Sequence, residues 1–77
     1  MSIEVRVDGA KSDEEIEVVA HHVKVGDRVE VGSPLLEVAT DKANMDLVAP
    51  VAGVVAEMLD EGALAQSDQV FAVIDDG

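Results

Sequence analysis

The chain has 77 residues and a formal net charge of −12, and it contains no Cys, Trp or Tyr. This length corresponds to one small domain, whose core must be built from aliphatic side chains and the single aromatic residue, Phe71. The excess negative charge would repel nucleic acids and anionic membranes, so we expect neither as a partner. No apolar run reaches the roughly 20 residues that span a bilayer, and the N-terminus does not resemble a signal peptide.

The first part of the chain predicts two strands. Residues 3–7 alternate between apolar and polar side chains, which predicts a strand with its three apolar residues facing inward. Turn-forming and charged residues over 8–15 predict a surface loop. Residues 16–25 predict a longer strand whose inward-facing parity changes near His21 and His22, as happens at a β-bulge.

The two adjacent histidines, His21 and His22, invite a test for metal binding. Successive side chains of a strand point to opposite faces, and no Cys or third His lies nearby to complete a site. We therefore expect both to be ordinary strand residues, and we predict neither a metal site nor a catalytic residue in the chain.

The central feature is the segment 35–47, whose pattern predicts two strands joined by a hairpin loop at Asp41-Lys42. With a two-residue loop, the facing pairs are Thr40 with Ala43, Val38 with Met45, and Leu36 with Leu47. A one-residue slip would exchange the two faces, so the pattern fixes the register. Lys42 is then exposed at the tip, although most exposed lysines are only solvated charges or protect a sheet edge.

The remainder of the chain predicts short strands at 29–31, 52–59 and 70–74, separated by turns. A weak repeat relates the two halves at a constant offset of 36 residues: Gly26, Gly32, Leu35 and Val38 recur as Gly62, Asp68, Phe71 and Ile74. Asp tolerates a left-handed backbone better than most residues, so we expect the turn to survive the change from glycine to Asp68. With no helical periodicity, these strands predict an all-β sandwich or flattened barrel.

The tetrapeptide Thr40-Asp41-Lys42-Ala43, followed by residues 45–55, resembles the lipoyl domain of 2-oxo acid dehydrogenase complexes. The resemblance extends through 23–29 and 32–38 and on to 71–74, so it covers nearly the whole chain. It implies two four-stranded antiparallel sheets related by a pseudo-twofold axis, a barrel-sandwich hybrid. It also implies that Lys42 is the attachment site of lipoic acid, and that Thr40, Asp41 and Ala43 form the turn that other enzymes recognise.

The resemblance implies a swinging-arm carrier and not an enzyme. A lipoate-protein ligase would modify Lys42. The modified domain would then serve a thiamine-diphosphate 2-oxo acid dehydrogenase, an acyltransferase core and a flavin dihydrolipoamide dehydrogenase, carrying acyl groups and reducing equivalents between them. By the same resemblance, the loop over 8–15 would lie near the lipoyl turn and help partner dehydrogenases to recognise the domain.

Residues 1–77 are expected to form a single monomeric domain. Its parent chain would be a longer acyltransferase component, with this domain at the N-terminal end, or a lipoyl-bearing dihydrolipoamide dehydrogenase. Because no transit peptide precedes Met1, we expect a bacterial cytoplasm rather than a mitochondrial matrix.

Other carriers share this architecture and stay as alternatives. The lysine of a biotin carrier domain of a carboxylase is typically flanked by Met, whereas Lys42 lies between Asp41 and Ala43, with Met45 three residues on. A glycine-cleavage carrier protein would be longer, and an unmodified domain would serve only as a binding module. The lipoyl family often has Glu or Gly where this chain has Ala39, a departure that bears on the identity of the partner complex.

Overall fold

The computed structural model describes residues 1–7 and 14–77, so most of the predicted loop over 8–15 lies outside the described residues. Within the described part, the strands are β1 (Ser2–Val5), β2 (Glu15–His21), β3 (Arg28–Val29), β4 (Pro34–Ala39), β5 (Asn44–Val48), β6 (Gly53–Met58), β7 (Leu64–Gln66) and β8 (Ala72–Asp75). The described residues include no helix long and apolar enough to cross a membrane.

The eight strands form two four-stranded antiparallel sheets. One has the order β1-β8-β6-β3 and the other has the order β5-β4-β2-β7. Apolar side chains of both sheets meet between them, and the largest that are fully buried are Phe71, Ile16, Leu35, Leu36 and Ile74. The predicted all-β fold of two packed sheets is therefore confirmed.

The two sheets repeat each other's construction, as the sequence repeat predicts. In one sheet β2 pairs with β4, and the register shifts between Val18 and Ala20. In the other sheet β6 pairs with β8, and the register shifts between Val55 and Glu57. Because a bulge bends a strand and increases its twist, each sheet is bent at the corresponding pair of strands. The arrangement is that of two halves related by a pseudo-twofold axis.

The repeat does not extend to the backbone at Asp68. Gly32 takes a positive φ of 87°, but the described residues include no non-glycine residue with positive φ, so the turn at Asp68 forms without a left-handed backbone. Both turns are nevertheless held by the same pair of hydrogen bonds. In the second turn, the Gln69 amide donates to Gln66 O at 3.0 Å and the Gln66 amide donates to Gln69 Oε1 at 2.7 Å. In the first turn, the Ser33 amide donates to Glu30 O at 3.0 Å and the Glu30 amide donates to Ser33 Oγ at 3.1 Å. The repeat therefore keeps its hydrogen bonds at this turn, although the positive φ of the glycine is lost.

β1, β6 and β8 differ from the predicted ranges by one or two residues at their ends, and larger differences occur in three places. β2 ends at His21 instead of continuing to Val25, which is 59% exposed. β3 covers only Arg28–Val29, and Val31 beyond it is 70% exposed. β7, Leu64–Gln66, is a strand that the sequence did not predict, because its short Leu-Ala-Gln run carries no β-branched residue and little alternation.

Candidate functional site

β4 and β5 form the hairpin that carries Lys42. The paired residues are Leu36 with Leu47, Glu37 with Asp46, Val38 with Met45, and Ala39 with Asn44. This is the predicted register, and it places the Leu36, Val38 and Leu47 side chains in the core. Met45 belongs to the same face but is 39% exposed, because β5 is an edge strand of its sheet.

The hairpin loop is longer than the predicted two residues. β4 ends at Ala39 and β5 begins at Asn44, so the loop comprises residues 40–43. Thr40 still faces Ala43, since the Thr40 amide donates to Ala43 O at 2.9 Å.

The hydroxyl of Thr40 closes this loop. Thr40 Oγ1 donates to Ala43 O at 2.9 Å and accepts from the Ala43 amide at 3.2 Å. It also lies 3.3 Å from the amide nitrogen of Lys42, a third and longer contact. Thr40 Oγ1 therefore contacts both Lys42 and Ala43, the last residue of the loop.

This closure explains how a hairpin forms without an Asn-Gly or Asp-Gly turn. The common two-residue turn needs positive φ at both central residues, which glycine and asparagine tolerate. Neither Asp41 nor Lys42 has positive φ. The Thr40 hydroxyl instead accepts the Ala43 amide hydrogen, in the way that Ser and Thr side chains close local turns. The threonine immediately before the predicted loop was the sequence signal for this geometry.

Lys42 presents its amine to solvent. The side chains of Asp41, Lys42 and Ala43 are all exposed, and Thr40 is half-buried. In residues 1–7 and 14–77, no carboxylate lies within ion-pair distance of Lys42 Nζ. A primary amine in this position is accessible to an enzyme that acylates it, and an attached acyl chain would extend into solvent without displacing a core side chain. The residues present therefore fit a covalently bound cofactor at Lys42.

His21 and His22 turn to different partners. The ring Nε2–H of His21 donates to Leu59 O at 2.7 Å, which links β2 to the chain segment that follows β6 in the other sheet. The ring Nε2–H of His22 donates to Asp46 Oδ1 at 3.0 Å on β5. The adjacent pair therefore does not converge on one point, as expected for neighbours on a strand.

Comparisons with known proteins agree on one family. Residues 3–74 match the model of the biotin and lipoyl family, which carries the description biotin-requiring enzyme. Over 53 residues, 68% of the chain, it is 49% identical to the dihydrolipoyllysine-residue acetyltransferase component of the pyruvate dehydrogenase complex of Corynebacterium glutamicum. Over 97% of the chain it is 38% identical to the component of the same name from Staphylococcus epidermidis.

A solved structure gives the same result. The lipoyl domain of the 2-oxoglutarate dehydrogenase complex from Azotobacter vinelandii superposes with a TM-score of 0.77 and 26% identity, covering 97% of this chain and 98% of that one. The chain spans only 8% and 18% of the two curated relatives, so it corresponds to one domain of such proteins. It belongs to the biotin and lipoyl family, and within that family it is a lipoyl domain of the kind found in acyltransferase components of 2-oxo acid dehydrogenase complexes.

Proposed function

We propose that Lys42 carries lipoic acid in amide linkage and that the domain acts as a swinging-arm carrier. The observation that supports this most directly is the exposed amine of Lys42 in a loop that Thr40 holds closed. Both curated relatives are named as dihydrolipoyllysine-residue acetyltransferase components. Their names refer to a lipoylated lysine, which is the modification proposed for Lys42.

The modification is an acyl transfer to Lys42. The neutral Nζ attacks the carboxyl carbon of an activated lipoate held by a lipoate-protein ligase. An amide bond forms, the activating group leaves with the electron pair of its bond, and Nζ loses a proton. The side chain loses its positive charge, so the acidic domain becomes more negative by one charge. Thr40, Asp41 and Ala43 are the residues that a ligase meets on either side of the amine.

The chain itself contributes placement. Lipoic acid, once attached, supplies a dithiolane that can accept an acyl group and two electrons and release them again. The sheet supports the hairpin rigidly through β4, while Lys42 adds a long flexible side chain at its tip. Tethering to a small domain raises the effective concentration of the attached group at each active site that the domain visits. In this role the domain carries out no chemical step of its own.

The partners that fit this role are four enzymes. They are the ligase, a thiamine-diphosphate 2-oxo acid dehydrogenase, an acyltransferase core and a flavin dihydrolipoamide dehydrogenase. We propose that residues 1–77 form a monomeric domain of a longer acyltransferase chain, or of a lipoyl-bearing dihydrolipoamide dehydrogenase, in a bacterial cytoplasm. The net charge of −12 favours basic docking surfaces on the partners and disfavours nucleic acid.

Mass spectrometry of two parallel reactions tests the modification. The chain is incubated with lipoate, ATP and a lipoate ligase, and separately with biotin, ATP and a biotin ligase. We expect a single lipoyl adduct, which fragmentation assigns to Lys42. Lys42→Arg should abolish the adduct, whereas the matched variant Lys24→Arg, on another exposed lysine, should be modified like the parent chain.

Either of two results would contradict the proposal. A biotin adduct without a lipoyl adduct would make the chain a biotin carrier of a carboxylase. No adduct in either reaction would leave an unmodified binding module.

A further inference from the structure

Three metal-ligating side chains meet on the outer face of the sheet that carries the hairpin. They are His22 just beyond β2, Glu37 on β4 and Asp46 on β5, and each offers a donor atom within 4.8 Å of the others. We propose that this cluster, the hairpin-face triad, binds a divalent transition-metal ion, with zinc as the best match. The inference is independent of the lipoylation of Lys42.

The sheet itself brings the three donors together. β5, β4 and β2 are consecutive neighbours, so Asp46 and Glu37 come from adjacent strands and His22 comes from the residue that follows β2. Glu37 and Asp46 are directly paired across β4 and β5. The His22 amide donates to Leu35 O at 2.9 Å, which fixes the histidine beside β4. Glu37 and Asp46 lie on strands, and ligands positioned by strand backbones are held more rigidly than ligands on loops.

One pair of donors is already spaced nearly as in a coordinated ion. His22 Nε2 lies 3.0 Å from Asp46 Oδ1, and two ligands of a tetrahedral zinc ion with bonds of about 2.0–2.1 Å are separated by roughly 3.3 Å. On binding, Nε2 would exchange its hydrogen bond for the metal, and the imidazole proton would move to Nδ1 through solvent. The three donor atoms lie within 4.8 Å of one another, so rotation of the side chains would close them around the ion.

Glu37 already has an orienting partner. The Asn44 side-chain amide, also on β5, donates to Glu37 Oε2 at 3.0 Å. Carboxylates that ligate metals are commonly held by such a hydrogen bond through one oxygen while they coordinate through the other. Glu37 is half-buried, so its side chain has less freedom than a fully exposed glutamate.

Electrostatics favour a cation at this point. Like charges that face each other across two strands destabilise a sheet, and Glu37 faces Asp46. The domain as a whole carries a net charge of −12. A divalent ion between the two carboxylates would remove their repulsion. The excess negative charge of the domain would also favour binding of a cation.

The donor types select among cations. One imidazole nitrogen and two carboxylate oxygens suit zinc and its neighbours, whereas calcium prefers six to eight oxygen ligands. Three protein ligands on an exposed face leave the fourth position of a tetrahedral ion to water. Zinc should therefore bind much more tightly than calcium.

Zinc titration of the 77-residue chain with Lys42 unmodified tests the inference. The unmodified chain is used because the thiols of a reduced lipoyl group would bind zinc themselves. Calorimetry should show one zinc per chain. His22→Ala, Asp46→Asn and Glu37→Gln should each weaken binding by about tenfold or more. NMR signals of the His22 ring should shift on titration, while those of His21 should not.

The matched control is Glu57→Gln, which removes one exposed negative charge from β6 in the opposite sheet. Its zinc affinity should stay within about twofold of the parent, since it changes only the overall charge. The inference would be overturned if Glu57→Gln weakened binding as much as the triad variants did, or if His22→Ala left the affinity unchanged. Equal affinity for zinc and calcium would also contradict it.

Discussion

The Thr40 hydroxyl lies 2.9 Å from the carbonyl oxygen of Ala43 and bridges the loop that carries Lys42. Its contact with the Ala43 amide, at 3.2 Å, replaces a backbone bond that a glycine-containing turn would supply. The geometry of the loop that carries Lys42 thus depends on the side chain of a neighbouring residue. Thr40 is a positioning residue for Lys42.

Thr40→Val should slow lipoylation severalfold and lower the unfolding free energy only modestly. Valine keeps the shape and strand preference of threonine but loses the hydroxyl, so the loop loses its side-chain hydrogen bonds at a cost of about 1 kcal/mol in unfolding free energy. In a more flexible loop, Lys42 spends a smaller fraction of its time in the geometry that the ligase accepts. The initial rate of lipoylation should fall severalfold, measured by mass spectrometry at fixed ligase concentration.

Thr40→Ser is the rescue variant, because it keeps the hydroxyl and removes only a methyl group. Its lipoylation rate should stay close to that of the parent chain. A rate as low as that of Thr40→Val would show that the methyl group matters and the hydroxyl does not.

The register of the hairpin was predictable from sequence, but the geometry of its loop was not. Alternation of Leu36, Val38 and Leu47 with polar residues allows only one pairing that buries all three, so local pattern decides the register. The loop depends on a side-chain to main-chain hydrogen bond of Thr40, and hydrophobic pattern carries no information about such bonds. Thr40 was predicted as a turn residue, without this role.

The hairpin-face triad could not be predicted from the sequence, for a different reason. In the sequence, His21 and His22 have no Cys or third His near them that could complete a metal site. Glu37 and Asp46 lie far from His22 along the chain, and only the order β5-β4-β2 brings the three together. The change of parity predicted a bulge in β2 near His21 and His22. The bulge lies slightly earlier, between Val18 and Ala20.

His21→Ala should destabilise the domain, although its neighbour His22 can be replaced at little cost. The His21 ring donates to Leu59 O at 2.7 Å and so joins the two sheets, and its amide donates to Glu61 Oε2 at 3.0 Å. Loss of the ring removes a partly buried hydrogen bond, and the unfolding free energy should fall by about 1–2 kcal/mol. Urea denaturation followed by far-UV circular dichroism measures this, since the chain has no Trp or Tyr.

His22→Ala is the comparison, measured with EDTA present so that metal binding does not contribute. The pair between His22 and Asp46 is exposed, and its loss should change stability by less than about 0.5 kcal/mol. Equal losses for both histidine variants would contradict the role of His21 as a link between the sheets.

Gly53→Ala should lower the unfolding free energy more than the same substitution at a turn glycine does. A Cβ at Gly53 would overlap the Asp75 carbonyl oxygen and approach the Ile74 side chain on the neighbouring strand β8. Because strand backbone cannot move aside easily, we expect a loss of about 2–3 kcal/mol. Thermal unfolding by circular dichroism should show a clearly lowered midpoint.

Gly26→Ala separates steric overlap from backbone strain. Gly26 has a φ of 98°, but an added Cβ would meet nothing within 4 Å in the described structure. Its cost should therefore come from the left-handed backbone alone, about 1 kcal/mol. If Gly26→Ala were the more destabilising of the two, contact with β8 would not be what requires glycine at position 53.

Phe71 is the largest fully buried side chain and the only aromatic residue in the chain. It occupies in the second half the position that Leu35 occupies in the first, so the two residues fill the core from opposite sheets. Phe71→Ala should cost about 3–5 kcal/mol, because a core made mostly of aliphatic side chains cannot collapse into the space left by an aromatic ring. For a domain of this size, that is most of the expected stability.

Phe71→Leu tests whether volume or aromatic character matters, since it places at the second position the residue type that serves at the first. We expect a loss of about 1–2 kcal/mol, well below that of Phe71→Ala. Met45→Ala, on the edge strand β5, is the control and should cost less than about 1 kcal/mol because Met45 is 39% exposed. A loss for Phe71→Leu as large as that for Phe71→Ala would show that the second half of the core requires the aromatic ring, and that the two halves are not interchangeable in packing.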